Sequence, residues 1–175
     1  AVSLVNSGTN DISMVNNAAT VLGTVTAGQN FNLTSGGSIT QSGVINASAG
    51  TTTLTLTAPN SDIILNTQTN NFGSTAMIFG GTQDNIRDVA IKNSNAGAVL
   101  PDFSGLNNLR NLSVNFTGTN IVLPALTLHD GGSLDVTAIG SGVGAISQSG
   151  SLVIPGTASF TTTTGTSALR TITLT

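Results

Sequence analysis

Cysteine, tryptophan and tyrosine are absent from this chain of 175 residues, and charge is scarce, with 4 basic and 7 acidic side chains for a formal net charge of −3. Every acidic group is an aspartate; there is no glutamate. Without cysteine there is no disulfide framework and no thiolate metal site. So few lysines and arginines exclude the basic footprint of a nucleic-acid binder. With Glu, Lys and Arg nearly missing, a helical bundle lacks its usual residues. No apolar run approaches the roughly 20 residues that a membrane-spanning helix requires. The first ten residues, AVSLVNSGTN, carry neither a positive n-region nor an apolar h-region, so they are not a signal peptide. Zero cysteines fit an extracellular bacterial protein.

What is present is Gly 21, Thr 28, Ser 19 and Asn 19, about half of the chain, beside a hydrophobic share of 38%. That apolar share with low net charge excludes charge-driven disorder. The apolar residues come in short alternating pairs: Ile12/Met14, Phe31/Leu33, Leu54/Leu56, Ile63/Leu65, Val89/Ile91, Leu112/Val114, Leu134/Val136 and Ile172/Leu174. Period-2 alternation marks strands, here of about 3–5 residues, separated by Gly, Asn and Ser turn clusters.

The pairs recur. Phe31 to Leu54 and Leu54 to Met77 are each 23 residues, Val89 to Leu112 is 23 and Leu112 to Leu134 is 22. A second series, Ile39, Ile63 and Ile86, steps by 24 and 23. A period in this range indicates a solenoid or array, and about 23 residues is too short for a propeller blade. The pattern predicts an all-β chain: one parallel, right-handed β-helix of about seven coils with ~22–23 residues each, rising about 4.8 Å per coil to a rod on the order of 35 Å. Phe31, Leu33, Leu54, Leu56, Met77, Val89, Leu112 and Leu134 are the expected core stack. Gly and Asn are expected at the corners because they tolerate left-handed backbone angles.

A longer repeat overlies the coil. GSITQSG at 37–43 matches GAISQSG at 144–150, Gly50–Leu54 matches Gly156–Phe160, and Phe31–Thr34 matches Leu134–Thr137, with four extra residues near Gly140–Val143. Val21-Leu22-Gly23 matches Val122-Leu123-Pro124, and Ile63–Leu65 matches Ile172–Leu174. The whole of 1–175 therefore reads as one β-helix segment, with a super-repeat of about 105 residues at roughly 21–127 and, in part, 122–175. Neither end shows a cap, and strand patterns reach Val2/Leu4 and Ile172/Leu174. An uncapped solenoid end offers unpaired backbone and an apolar stack. The expected partner is therefore more of the same, as further chain or as stacked subunits, and the sequence reads as an excerpt of a longer chain or a filament subunit.

The stretch Phe31–Thr34 followed by SITQSGVINASAGTTTLTL (38–56), with its echo SLDVTA and AISQSGSLVIPGTASFTT within 133–162, resembles the shaft repeats of filamentous-haemagglutinin-type exoproteins. VLPDFSGLNNLRNLSV (99–114) and IVLPALTL (121–128) are similar to the intervening coils of such arrays. The resemblance implies a secreted adhesin of bacterial two-partner secretion, exposed at the cell surface, with a structural shaft and no cofactor.

Candidate chemistry centres on Asp84-Asn85-Ile86-Arg87-Asp88. At the coil spacing, Asp62 falls one layer from Asp84, and Asp88 one layer from Arg110, which gathers carboxylates and arginines as a polysaccharide lyase or hydrolase would. Solvated loop charges with one cross-coil ion pair account for the same residues. The lack of Trp and Tyr platforms for sugar rings favours that second account. His129-Asp130, beside Gly131-Gly132, is the sole histidine and reads as a turn. Thr51–Thr53, Thr55, Thr57, Thr161–Thr164, Thr171, Thr173 and Thr175 raise ice binding, but corresponding positions vary (Asn32/Thr34, Ser113/Asn115, Asp135/Thr137), so β-propensity explains them. Asn30/Asn32, Asn66/Asn70/Asn71 and Asn107/Asn108/Asn111 are candidates for amide ladders along the axis. Sequons at Asn32, Asn46, Asn111 and Asn115 are as frequent as this composition gives by chance. The expected function is a structural rod or fibre segment of a bacterial surface adhesin, without catalysis, metal or cofactor. Its expected partners are its own copies end to end and host or surface glycans. A carbohydrate-active β-helix enzyme stands second, and an ice-binding surface third.

Overall fold

The computed structural model describes residues 1–140, 143–163 and 171–174. The insertion between Gly140 and Val143, and Thr164 and Thr175, lie outside the described residues. The chain winds into a β-solenoid of about seven turns in which every strand pairing among the described residues is parallel.

The long sheet runs β1 (Val2–Asn6), β3 (Thr20–Ala27), β5 (Ile39–Gln41), β8 (Ser61–Leu65), β10 (Ile86–Asn93), β11 (Asn111–Thr117), β14 (Leu134–Ile139) and β17 (Ala158–Thr163), with β6 (Ile45–Asn46) also on β3. A second side is the four-stranded sheet of β2 (Ile12–Asn16), β4 (Phe31–Ser35), β7 (Thr52–Leu56) and β9 (Ile78–Gly80). In the later coils β12 (Ile121–Leu123), β15 (Ile146–Gln148) and β18 (Ile172–Thr173) form a three-stranded sheet. Beside it, β13 (Leu126–Thr127) pairs with β16 (Leu152–Val153). A later coil thus has three short sides. Several strands of the long sheet exceed the expected length: β3 and β10 run for 8 residues each, β11 for 7, and β14 and β17 for 6 each.

Alternation of apolar and polar residues makes these strands two-faced, and coiling buries the apolar face of each against the others. One inward row along the long sheet is Ile39, Ile63, Val89, Leu112 and Leu134, stacked in register. Phe31, Leu33, Leu54, Leu56, Met77, Val89, Leu112 and Leu134 all lie in one buried cluster. Each fully buried Leu or Ile contributes about 1.5–3 kcal/mol from the removal of apolar area. The stack therefore holds the coils together with few aromatic rings.

Spacing alone misplaced part of the register. Leu54 lies opposite Leu33, with Phe31 opposite Thr52, and Phe79 rather than Met77 lies opposite Leu54. A slip of two residues leaves every side chain on the same face, so the buried set is unchanged. In the second series Ile86 faces Ser61 and Ile63 faces Val89, three residues beyond the expected partner, and the bulge between Ile86 and Asp88 supplies one of the three.

The corners meet expectation in part. Positive φ occurs at Gly73, Gly81, Gly118, Gly131 and Gly144, and among non-glycine residues at Asn60 and Asp130. Gly28, Gly36 and Gly132 have ordinary φ, and a side chain at any of them would run into the backbone of the preceding coil at Gly8, Asn17 and Arg110 respectively. Close packing of coil on coil fixes these glycines. The asparagines serve mostly as hydrogen-bonding groups between and within corners.

Candidate functional site

The bulge in β10 sets the geometry of the charged cluster. The extra residue places Arg87 and Asp88 in succession on the outer surface, both part-buried. Arg87 reaches back one coil and grips Asp62 with two bonds, Nε to Oδ1 at 3.0 Å and Nη2 to Oδ2 at 2.7 Å. Arg110 reaches back from the next coil and grips Asp88 in the same way, at 3.1 and 2.6 Å. Arg87 Nε also stands 3.5 Å from Asp88 Oδ2. The result is a ladder, Asp62–Arg87–Asp88–Arg110, spanning three coils. The expected contact of Asp88 with Arg110 is present. Asp62, expected beside Asp84, instead faces Asp88 in register and binds Arg87. Asp84 sits in a single 3-10 turn (Gln83–Asn85), where its carboxylate accepts a bond from Asn107 Nδ2 at 2.9 Å and its carbonyl one from Asn108 Nδ2 at 2.7 Å.

Burial pushes the Asp88 carboxyl up. The Arg110 fork, the Asn111 N–H and the Arg110 and Arg87 charges outweigh it, so Asp88 titrates below the ordinary aspartate range. The same partnership raises Arg110. Both oxygens of Asp62 and of Asp88 are occupied by protein donors. A general acid must instead be held protonated near neutrality, with a free oxygen facing substrate. Asp102 is also lowered, by the N–H of Ser104 in a local turn and then by the Ser104 hydroxyl.

The ladder extends through neutral groups along one corner. Ser38 Oγ accepts the Asp62 N–H, Asp88 Oδ1 the Asn111 N–H, Asn111 Oδ1 the Ser133 N–H, and Ser133 Oγ the Thr157 N–H. Another corner repeats the device, with Asp11 Oδ1 taking the Asn30 N–H and Asn30 Oδ1 the Thr51 N–H. Asn95 donates to Asn71 across adjacent coils at 3.1 Å, and Asn120 Oδ1 accepts from Gly144 and Ala145. The expected amide ladders are therefore realised as mixed ladders of Asp, Asn and Ser. Asn70, a ladder candidate in the sequence, is fully buried and forms a reciprocal pair with Gln41, both bonds 2.8 Å. Asn70 also accepts the Ile45 N–H and donates to the Leu65 carbonyl. Gln41 and Asn70 are 29 positions apart, more than one coil, so no single-period comparison aligns them.

Among the described residues, three depressions stand out. A groove of about 580 Å³ runs beside the loop of coil five, between Val99, Leu100 and Pro101 and the next coil's Val122 and Pro124. A smaller polar one, of about 290 Å³, includes His129, Phe103 and Ser151. The third, about 310 Å³, lies over Ile64, Ala90 and Ser113 on the outer face of the long sheet. The His129 N–H bonds to the Leu109 carbonyl, and Asp130 has φ 52°, the geometry of a corner. Among the described residues no group of three His, Asp or Glu side chains is placed to hold a metal ion. Threonine rows are short: Thr34 pairs with Thr55 and Thr137 with Thr161, but Val15 and Gly80 flank the first pair. At the first and last strands, Val2 and Leu4 sit in β1, which pairs with β3, while Ile172 in β18 and Leu174 just after it are both exposed.

The four-stranded sheet stops at β9, and no strand lies between β10 and β11. There the Phe103 ring packs on Phe79 at 6.0 Å between centroids. The Gln83 side chain donates to the Phe79 carbonyl at 2.7 Å, covering part of the edge that a further strand would have paired.

A family model described as Repeats of unknown function (DUF5649) matches residues 5–78 and 109–175. The two matched blocks flank the interruption, which holds Asp84, Arg87, Asp88 and Phe103. No curated protein and no solved structure matches the chain.

Proposed function

The chain belongs to this family of repeats, and on that premise we propose that it is a rod segment of a secreted bacterial surface adhesin or extracellular filament, of filamentous-haemagglutinin type, with no catalytic role. The observation that carries the reading is where its polar chemistry goes. Asp11, Asp62, Asp84, Asp88, Arg87 and Arg110 all bond to a neighbouring coil. Asn30, Asn111 and Asn120 do the same. Such groups brace an axis. A catalytic cluster keeps at least one of them free and aimed at a substrate. The work of the segment is to span distance and to offer a neutral hydroxyl- and amide-rich surface to glycans. Its axial partners are further coils of the same kind, in the same chain or in a stacked copy, since each internal coil already bonds to both neighbours through a parallel ladder.

The test is a panel of uronate-containing and neutral polysaccharides incubated with the protein. The expected result is no change in chain length or in unsaturated-sugar absorbance. Cleavage that disappears in Asp84→Asn or Asp88→Asn would make the carbohydrate-active reading the correct one.

A further inference from the structure

The two copies of the sequence unit occupy different sides of the solenoid. In the first copy β4 and β7 lie in the four-stranded sheet, with Phe31 opposite Thr52 and Leu33 opposite Leu54. Their counterparts, β14 and β17, lie in the long sheet with the same register, Leu134 opposite Ala158 and Val136 opposite Phe160. The next strand moves likewise. Ile39 faces Ile63 in the long sheet, whereas Ile146 faces Ile172 in the three-stranded sheet. The third strand of the unit moves too: Val25 faces Ile45 where β6 joins the long sheet, whereas Leu126 faces Leu152 in the two-stranded sheet. Pairing within the unit is preserved while the side of the rod changes.

The path between the copies explains the change. From β2 the chain returns to the same side at β4, β7 and β9, and then at the Phe103 loop stacked on Phe79. The next strand is β11, which joins the long sheet and plays in the second copy the part that β2 plays in the first: Ile12 faces Phe31, and Leu112 faces Leu134. One unit is therefore four turns plus one side of a three-sided coil.

We infer that the lateral surface of this rod is presented in rotation. Each copy shows its outward face on the side next to that used by the copy before it, so neighbouring copies engage separate partner molecules from different directions. The outward residues of the equivalent strands are Asn32, Thr34, Thr53 and Thr55 in one copy and Asp135, Thr137, Ser159 and Thr161 in the other. Those hydroxyls, with the Asn32 amide and the Asp135 carboxylate, suit a hydroxylated polymer such as a glycan chain, bonded without stacking. A flat partner spanning both copies meets unlike rows. The inference rests on the rod reading for its use but on strand register for its geometry.

The chain has no cysteine, so introduced pairs can be labelled uniquely. Ile64 and Ser159 stand in one register row, through Ala90, Ser113 and Asp135. Four coil spacings separate them, about 19 Å. Thr53 and Ser159 are equivalent positions in the two copies. Spin labels on Ile64→Cys/Ser159→Cys are expected near that distance. Labels on Thr53→Cys/Ser159→Cys are expected about 10 Å farther apart, since the pair lies on different sides of the coil and the labels reach outward in different directions. With short-linked biotin on the same cysteines, the Thr53/Ser159 pair should hold two streptavidin molecules at once. The Ile64/Ser159 pair should hold one, because two bulky partners clash on one row. Equal label distances in the two pairs, or a single streptavidin on both, would overturn the rotation. An Ile64/Ser159 distance far from the coil spacing would instead overturn the rod, which keeps the two failures distinct. Melting temperatures near that of the unsubstituted protein confirm that each variant is folded.

Discussion

Single atoms decide the corners. Gly36 has an ordinary backbone angle, but a Cβ there would overlap the Asn17 carbonyl group of the coil beneath, which is main chain and has nowhere to go. Gly36→Ala should therefore destabilise the protein by about 1–3 kcal/mol, as overpacking does. Gly8→Ala is the matched control, since the nearest atom to its Cβ would be the Asn10 side-chain nitrogen at 3.3 Å. Thermal melts of both variants test the pair, with Gly8→Ala expected to stay within about 0.5 kcal/mol of the parent. A Gly36→Ala protein as stable as its control would show that the coils are not in contact at this corner. Composition marked these glycines as corner residues. It did not distinguish a backbone-angle requirement from a contact requirement, because the second depends on the residue one coil away.

Within single elements, β10 carries the clearest departure from regularity. Its bulge sets two charged residues side by side, and both are then caught by the coils on either side. Asp88 titrates below its ordinary value, so its carboxylate stabilises the fold above the pKa of the unfolded chain, and that contribution is lost as pH falls through the depressed folded value. Melting temperature should be level near neutrality and decline below about pH 4. Asp88→Asn should lower stability by about 1–2 kcal/mol at neutral pH, a moderate figure because the arginine partners are partly solvated. It should also flatten part of the acid-side decline, and melts from pH 7 to pH 2.5 check both. A decline as steep in Asp88→Asn as in the parent would assign it to other carboxylates. The strands themselves were legible because alternation and spacing survive in Val89, Leu112 and Leu134, which lie in register as the sequence predicts. The bulge was not legible. Arg87 reads in sequence as one more loop residue, and only the count against β8 reveals the extra position. The Gln41–Asn70 pair was hidden for a related reason, being a contact between two corners more than one coil apart.

Across the whole molecule, stability is local. Each coil bonds to the one before and the one after, and the apolar stack and the corner ladders follow the same axis. Solenoids of this kind behave as chains of nearest-neighbour units. The segment between the matched blocks breaks the four-stranded sheet but is tied across by the Asp62–Arg110 ladder, the Phe79–Phe103 contact and Gln83. The axis should therefore yield to tension one coil at a time. Pulling a single molecule by its two ends tests that most directly. Force–extension traces should show successive releases whose added length matches one coil of roughly 23 residues, about 80 Å each at full extension. Smooth extension at thermal forces, or release lengths unrelated to the coil, would contradict it.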